Sequence, residues 1–311
     1  MVLDIPSKDD FHQMGESLIH SAWESLVSLL KEYEEYAGYD ENGDFKSKYF
    51  EYSKPTLMSA FTLVQQAVEF FLKGNIAGVS PYILIANDGK NWPKQADKSD
   101  ISFLKFRTLD AQDLIKVHNT FCAHRLEPTF TTWFNQMRVV RNKIMHSVNG
   151  QNAISPSDLA TSILTAHEYF FGGQQWIKSR FTYHAKQPSN DLKIVDEAEL
   201  EGYRYFEIHE ELSIVIKSLQ PALVKRFFGF NPKSKSIECH FCEAWFQRIY
   251  FYEDAHWKKH NLDTMVQSCS DKLHYDCFVC GNSLDIVPAS CIDCEQMKIS
   301  KDTNICVWCG E

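Results

Sequence analysis

The cysteines are concentrated near the end of the chain, and this concentration constrains the fold more than any other feature of the sequence. Nine of the ten cysteines lie in residues 239–309, and eight of them form four Cys-x-x-Cys pairs. A two-residue gap lets both thiolates of one pair face a single tetrahedral Zn²⁺. Two pairs complete one four-thiolate site, so four pairs predict two structural zinc ions. The predicted ligands are Cys239, Cys242, Cys277, Cys280, Cys291, Cys294, Cys306 and Cys309.

The four pairs can be combined in two ways. Sequential use joins the first pair with the second and the third with the fourth, which gives two sites like those of zinc ribbons. Cross-braced use joins the first pair with the third. We favour sequential use because it closes shorter loops. A four-thiolate site has no open position, so neither ion is expected to be catalytic. Four further side chains stay open as metal ligands: Cys269, His256, His260 and His274.

Charge and composition exclude several classes of protein. The formal net charge is −9, so any nucleic-acid site must be a local basic patch on an acidic chain. The sequence is 44% hydrophobic, which is enough to bury a core and excludes wholesale disorder. The start of the sequence lacks the features of a signal peptide, and no apolar stretch is long enough to span a bilayer. We therefore expect a soluble cytoplasmic protein without a membrane partner, in which reduced cysteines favour metal over disulfides.

The first two-thirds of the sequence predict an all-α bundle. Apolar residues recur at helical spacing in residues 19–30, and almost without a break in residues 57–72. Residues 75–100 are rich in turn-forming residues and predict an irregular insertion whose role stays open. Further helices are predicted after the N-cap candidate Asp110, in residues 131–146, after the N-cap candidate Ser155, and as one long helix from residue 205 to near Gly229.

These patterns predict three regions. Residues 1–185 form the helical domain, residues 186–235 a linker with a long connecting helix, and residues 236–311 the zinc-binding region. The fold class is therefore an all-α bundle followed by a small domain that resembles zinc ribbons.

A second motif lies in the predicted helix 131–146. On an ideal helix Arg138, Asn142 and His146 form one stripe at i, i+4 and i+8. Arg141 falls nearer the apolar sector, and its five-residue separation from His146 corresponds to about 140° of rotation. One helix therefore aims Arg141 and His146 poorly at a single phosphate. Two copies that meet across an apolar dimer interface would bring both pairs into one cleft.

This segment and the helix Gln65-Gln66-Ala67-Val68-Glu69 resemble the HEPN family (higher eukaryotes and prokaryotes nucleotide-binding). In that family an Arg-x-x-x-x-His motif marks metal-independent ribonucleases, and Arg141, Asn142 and His146 match it. The resemblance covers roughly residues 10–182, whereas the insertion and the zinc region lie outside the family pattern. It implies a helical bundle, RNA cleavage without a catalytic metal, and a composite active site between the two protomers of a homodimer.

The chemistry of the matching residues agrees with this implication. A histidine such as His146 can deprotonate the 2′-hydroxyl of RNA and protonate the leaving oxygen. Arg141 offers a planar fork to the phosphate, and Asn142 can orient the phosphate or the imidazole. The remaining basic residues predict RNA binding: Arg138, Lys143 and Arg125. Single-stranded RNA is expected because in-line attack needs a freely rotating backbone.

We therefore predict an endoribonuclease that leaves a 2′,3′-cyclic phosphate. The resemblance suggests a toxin or anti-phage defence effector, for which a trigger or an inhibitory partner is expected. Two alternatives stay open: a non-catalytic nucleic-acid-binding module that uses the zinc ribbons, and a protein-interaction module. Cys122 and His124 also suggest a nucleophile and a base, but no third group is identifiable. We interpret Cys122 as a packing residue.

Overall fold

The computed structural model describes most of the chain and is mostly helical where it does so. The described residues are 1–39, 44–86, 89, 92–146, 154–188, 197–229, 231–232, 239–246, 267–269, 274–287, 291–292, 299–300 and 306. Contacts between residues divide the chain into two compact units, Met1–Phe170 and Phe171–Glu311. The predicted region boundaries at residues 185 and 235 stay predictions.

In the first unit the described residues form helices α1 to α6 and one small sheet. The helices are α1 (Lys8–Ala37), α2 (Phe45–Tyr52), α3 (Lys54–Ala77), α4 (Ala111–Phe121), α5 (Pro128–His146) and α6 (Pro156–Phe171). Two short strands, β1 (Val2–Leu3) and β2 (Ile101–Ser102), pair in parallel. All of the helices predicted from periodicity in residues 1–170 are therefore present.

The long helices α1 and α3 form the centre of the first unit. A capping box starts α1: the Asp10 N–H donates to Ser7 Oγ at 3.1 Å, and the Ser7 N–H donates to Asp10 Oδ2 at 2.8 Å. The two helices approach closely at Gly15, where an added Cβ would lie 2.5 Å from a ring carbon of Phe71. The contact buries the Trp23 and Phe71 side chains completely. This packing explains why the periodicity of both segments is so regular.

The structure refines the prediction of an irregular insertion in residues 75–100. Helix α3 continues to Ala77, so it occupies the start of the segment predicted as an irregular insertion. The described remainder of that segment includes a short 3₁₀ helix, Pro81–Leu84, and a bridge between Ile85 and Thr108.

At the start of α6 the Ser155 N–H donates to Asp158 Oδ2 at 3.0 Å, and the Asp158 N–H donates back to Ser155 Oγ at 3.1 Å. The predicted N-cap is confirmed.

In the second unit the described residues form four further helices and an antiparallel sheet. The helices are α7 (Trp176–Ala185), α8 (Glu197–Ser218), α9 (Pro221–Phe228) and α10 (His240–Phe246). The strands β3 (Gln267–Cys269), β4 (His274–Cys277), β5 (Ser283–Val287) and β6 (Ile299–Ser300) lie in that order in the sheet. None of the helices in the described ranges combines the length and the apolar character that crossing a membrane requires.

The prediction of one long helix from residue 205 to near Gly229 is wrong. The segment forms two helices, α8 and α9, and α9 begins at Pro221. Proline has no N–H to continue the helical hydrogen bonds, but it fits the first turn of a new helix. The helix ends at Gly229, as predicted, and Gly229 adopts the left-handed region at φ +71°.

A buried charge network joins α7 to α8. Arg180 is 1% exposed, and its Nε donates to Glu211 Oε2 at 2.9 Å. His184 contacts Glu211 Oε1 at 2.9 Å and Glu207 Oε2 at 3.0 Å. Burial opposes charge on both groups, but their hydrogen bonds prevail: they lower the pKa of Glu211 to about 2 and raise the pKa of His184 to about 9. The network is therefore charged at neutral pH.

Candidate functional sites

Helix α5 carries the predicted RNA-cleaving residues. Its first half packs against α3 through one apolar face. Phe130, Phe134 and Met137 lie on this face, and each is at most 3% exposed. The Phe130 and Phe134 rings stack with their centroids 6.1 Å apart. The core thus fixes the orientation of α5, and with it the direction of the polar residues that follow along the same helix.

Arg141 continues the core-facing line of α5, four residues after Met137. The side chain is half-buried, and its Nε is buried with no hydrogen-bond partner among the described residues. Its Nη1 donates to Asn142 Oδ1 at a long 3.5 Å. A guanidinium nitrogen buried in this way costs about 1–3 kcal/mol of stability. Arg141 is therefore on the apolar side of the helix, where the sequence predicts it, and it retains donor capacity for a ligand.

The other polar residues of α5 are more accessible. Asn142 and Lys143 are exposed, and the half-buried Arg138 donates from Nη1 to Asn135 Oδ1 at 3.5 Å. Within the described ranges no carboxylate forms an ion pair with Arg138, Arg141 or Lys143. This end of α5 therefore concentrates cationic groups that no described acid neutralises.

His146 is the last residue of α5, and its side chain lies outside the described part of the structure. The backbone is helical from Arg141 to His146, which corresponds to about 7.5 Å of rise and about 140° of rotation. This geometry is the basis of the composite-site prediction.

The first two Cys-x-x-Cys pairs meet in the second unit. Cys239 directly precedes α10, and Cys242 lies within it. Cys277 ends β4, and Cys280 lies in the turn that leads to β5. The turn is tight: the Gly281 N–H donates to the Cys277 carbonyl at 2.8 Å, and Gly281 adopts φ +72°. Glycine suits this left-handed conformation because it has no Cβ.

The four sulfurs have the separations that a tetrahedral zinc site requires. All four lie within 4.8 Å of one another. Cys239 Sγ is 3.7 Å from Cys280 Sγ, and Cys242 Sγ is 3.7 Å from Cys277 Sγ. With Zn–S bonds of about 2.3 Å, a regular tetrahedron places its sulfurs about 3.8 Å apart. The thiols therefore fit one zinc ion, and they combine as sequential use predicts.

Hydrogen bonds to sulfur support the same interpretation. The Cys280 N–H donates to Cys277 Sγ at 3.5 Å, and Asn282 Nδ2 donates to Cys280 Sγ at 3.4 Å. Donors of this kind stabilise thiolate charge and orient the ligands of a metal. Asn282 is not among the residues predicted from the sequence, although its position two residues after the second cysteine of the pair is a usable signal.

The other predicted ligands are only partly described. Cys291 and Cys306 are buried, whereas Cys294 and Cys309 lie outside the described residues. Cys269 belongs to β3 and His274 to β4, and the structure does not describe their side chains. His256 and His260 also lie outside the described residues. The second zinc site therefore stays a prediction from the sequence.

Comparison with known proteins identifies no relative: no family model, no curated protein and no solved structure matches the chain.

Proposed function

We propose that α5 carries the active site of a metal-independent endoribonuclease. The observation that supports this proposal best is Arg141, a half-buried arginine on the core-facing line of α5 whose buried Nε has no partner among the described residues. The guanidinium would donate to an RNA phosphate, and a small movement of the side chain would let its Nε take part and offset the cost of its burial. Arg138 and Lys143, which no described carboxylate pairs with, would hold neighbouring phosphates.

The proposed reaction uses the RNA's own 2′-hydroxyl as nucleophile. His146 accepts the hydroxyl proton and later delivers a proton to the leaving 5′ oxygen. Arg141 stabilises the charge that develops on the phosphorane, and Asn142 orients the phosphate or the imidazole. The products are a 2′,3′-cyclic phosphate and a free 5′-hydroxyl. The 140° between Arg141 and His146 on one helix favours a composite site, in which a second protomer supplies one of the two groups.

The zinc ions in this proposal are structural. The Cys239, Cys242, Cys277 and Cys280 thiols would hold one ion, and the third and fourth pairs a second ion. Four thiolates complete the coordination of zinc, so neither ion takes part in cleavage. The toxin or defence role, with its trigger or inhibitory partner, is part of the proposal that rests on the family resemblance alone.

The proposal is tested by mutating α5 and measuring cleavage of single-stranded RNA. His146→Ala should slow cleavage by ~10²–10⁴-fold because general acid–base help is lost. Arg141→Ala should slow it by ~10²–10³-fold because the phosphorane loses a donor. Arg138→Ala should mainly weaken RNA binding and make the RNA affinity less dependent on salt concentration. Arg107→Ala is the matched control, because Arg107 is an exposed arginine outside α5 that pairs with Asp110.

Two results would contradict the proposal. One is a His146→Ala protein that cleaves as fast as wild type. The other is a wild-type protein that binds RNA but does not cleave it, which would instead support the non-catalytic binding module.

A further inference from the structure

A pocket in the first unit combines cationic, histidine and aromatic side chains. Its volume is about 490 Å³, which is in the usual range for a small-molecule site. It lies where the start of α1, the end of α3, the segment between α4 and α5, and the end of α6 meet. The lining residues that matter for its chemistry are Lys8, Asn75, His118, Arg125, Glu127 and Tyr169. Among these six residues only Arg125 has a role predicted from the sequence, which is RNA binding.

Asn75 determines which nitrogen of His118 carries the proton. His12 Nε2 lies 3.2 Å from Asn75 Oδ1, and Asn75 Nδ2 lies 3.4 Å from His118 Nε2. The Asn75 amide therefore accepts from His12 and donates to His118. A neutral His118 that accepts at Nε2 must carry its proton at Nδ1. Burial lowers the pKa of His118 and favours the neutral ring, whereas a side-chain hydrogen bond with Asn119 acts in the opposite direction.

The Nδ1–H group of His118 has no well-placed acceptor. His118 is only 4% exposed, and no acceptor in the described part of the chain meets hydrogen-bond geometry at its Nδ1, although the Asn119 side chain interacts with the ring. Buried donors in folded proteins nearly always have a partner, which is protein, water or ligand. His118 also lines the pocket, so a small movement of its ring would let Nδ1–H donate to a bound acceptor.

Two cations line the same pocket without a described counter-ion. The aliphatic part of Lys8 lies against Gly78, where an added Cβ would be 3.2 Å from Lys8 Cδ. Its ammonium is close enough to Cys122 to act against the rise in the pKa of that thiol, which burial causes. Arg125 is exposed. Glu127 is an acidic residue of the lining, so the formal charge of these three residues is positive by one.

An aromatic wall lies beside these donors. Phe130 is almost completely buried and meets the Tyr169 ring edge-on, with the centroids 4.8 Å apart. Tyr169 is 36% exposed, so part of its ring is available to a ligand. Helix α5 begins at the pocket, and the positive end of its dipole also favours an anion.

We propose that this pocket binds a small aromatic phosphate monoester. The phosphate oxygens would accept from Lys8, Arg125 and the His118 Nδ1–H, and the aromatic ring would stack on Tyr169. Three donors suit the three terminal oxygens of a phosphate better than the two oxygens of a carboxylate. His146 lies about 27 Å along α5 from its first residue, so this site is distinct from the proposed RNA-cleaving site.

Calorimetric titration with phenyl phosphate tests the proposal, with inorganic phosphate, phenol and benzoate as comparison ligands. Phenyl phosphate should bind more tightly than each of the other three. Arg125→Gln and Lys8→Gln should each weaken its binding by ~10-fold or more, because a charge-assisted hydrogen bond is lost. Glu127→Gln should strengthen it, because a like charge is removed. Lys116→Gln is the matched control, since Lys116 is an exposed lysine of α4 outside the pocket lining.

A second measurement leaves His118 intact, because substitution of this buried residue can impair folding. Nitrogen-15 spectra of the imidazole should show the Nδ1–H tautomer, and its Nδ1 signal should shift when phenyl phosphate is added. No binding at millimolar phenyl phosphate, equal binding of phenyl phosphate and inorganic phosphate, or unchanged binding in both cation variants would overturn the proposal. No RNA is present, so such a result leaves the proposed nuclease function untouched.

Discussion

Apolar side chains hold the helices of the first unit together, whereas the second unit also relies on buried charges and on a cluster of thiols. In the first unit Trp23 and Phe71 are completely buried between α1 and α3. In the second unit Arg180 and Glu211 form a salt bridge at 2.5 Å, and four cysteine sulfurs lie within 4.8 Å of one another. One chain therefore combines two kinds of stability. The first should be insensitive to chelators, and the second should depend on metal and pH.

Removal of zinc should have the largest effect, and only in the second unit. A closed thiolate site contributes about 10–16 kcal/mol of apparent binding energy at neutral pH. We expect two zinc ions per chain by elemental analysis, and loss of the C-terminal fold in Cys277→Ser, while the circular dichroism of the helices is mostly retained. Cys122→Ser is the control, because Cys122 is outside the thiol cluster. A metal-free protein with an intact C-terminal fold would contradict this prediction.

Truncation of the apolar core should destabilise the first unit without any dependence on metal. Phe71→Ala should cost about 3–5 kcal/mol, because a fully buried ring is replaced by a cavity between α1 and α3. The free energy of unfolding, measured with denaturant, should show the same loss with and without chelator. Phe121→Ala is the matched control, since that ring is 51% exposed and should cost little. Equal losses in the two variants would argue against the assigned core.

Neutralising one member of the buried charge network should destabilise the second unit. Glu211→Gln leaves Arg180 buried without its counter-charge, a change that typically costs about 3–5 kcal/mol. Glu207→Gln should cost less, because the Glu207 side chain is 51% exposed and contacts only the edge of the network at His184. Denaturant unfolding of both variants measures this order, and the opposite order would show that the network is assigned wrongly.

The change in the stability of the second unit with pH should be the smallest of these effects. The pKa of His184 rises from 6.5 to about 9 in the folded chain, so its contribution is complete below pH 6.5 and is lost as the pH rises through 9. The pKa of Glu211 falls from 4.5 to about 2, so its contribution is complete above pH 4.5 and is lost as the pH falls through 2. The melting temperature should therefore be highest between pH 4.5 and pH 6.5. In Glu211→Gln the melting temperature should change less with pH on both sides of this range.

Local patterns in the sequence predicted the features that depend on neighbouring residues. The apolar periodicity of α1 and α3, the Ser155 cap and the Gly229 terminus are all confirmed. The break at Pro221 was missed because apolar residues keep their helical spacing across it, whereas the missing N–H of proline acts independently of hydrophobicity. Sequential use of the first two cysteine pairs followed from loop length, and the structure brings the same four sulfurs together.

Features built from distant residues could not be predicted in the same way. Arg180 and Glu211 are 31 residues apart on different helices, and neither lies in a motif. Asn75 and His118 are 43 residues apart, and the tautomer of His118 depends on their contact. Arg141 is intermediate: helical geometry predicts that it faces the apolar sector, but only the structure shows that its Nε lacks a described partner.

We propose above that α5 cleaves RNA through the substrate's 2′-hydroxyl without a catalytic metal. The most direct test is mass spectrometry of the products from a DNA oligonucleotide with a single ribonucleotide, incubated with the protein in chelator while its zinc content is monitored. We expect cleavage only after the ribonucleotide, a 2′,3′-cyclic phosphate on the upstream product, and no cleavage when that 2′-hydroxyl is methylated. Cleavage of the methylated substrate, or cleavage that requires added Mg²⁺ while both zinc ions are retained, would contradict it.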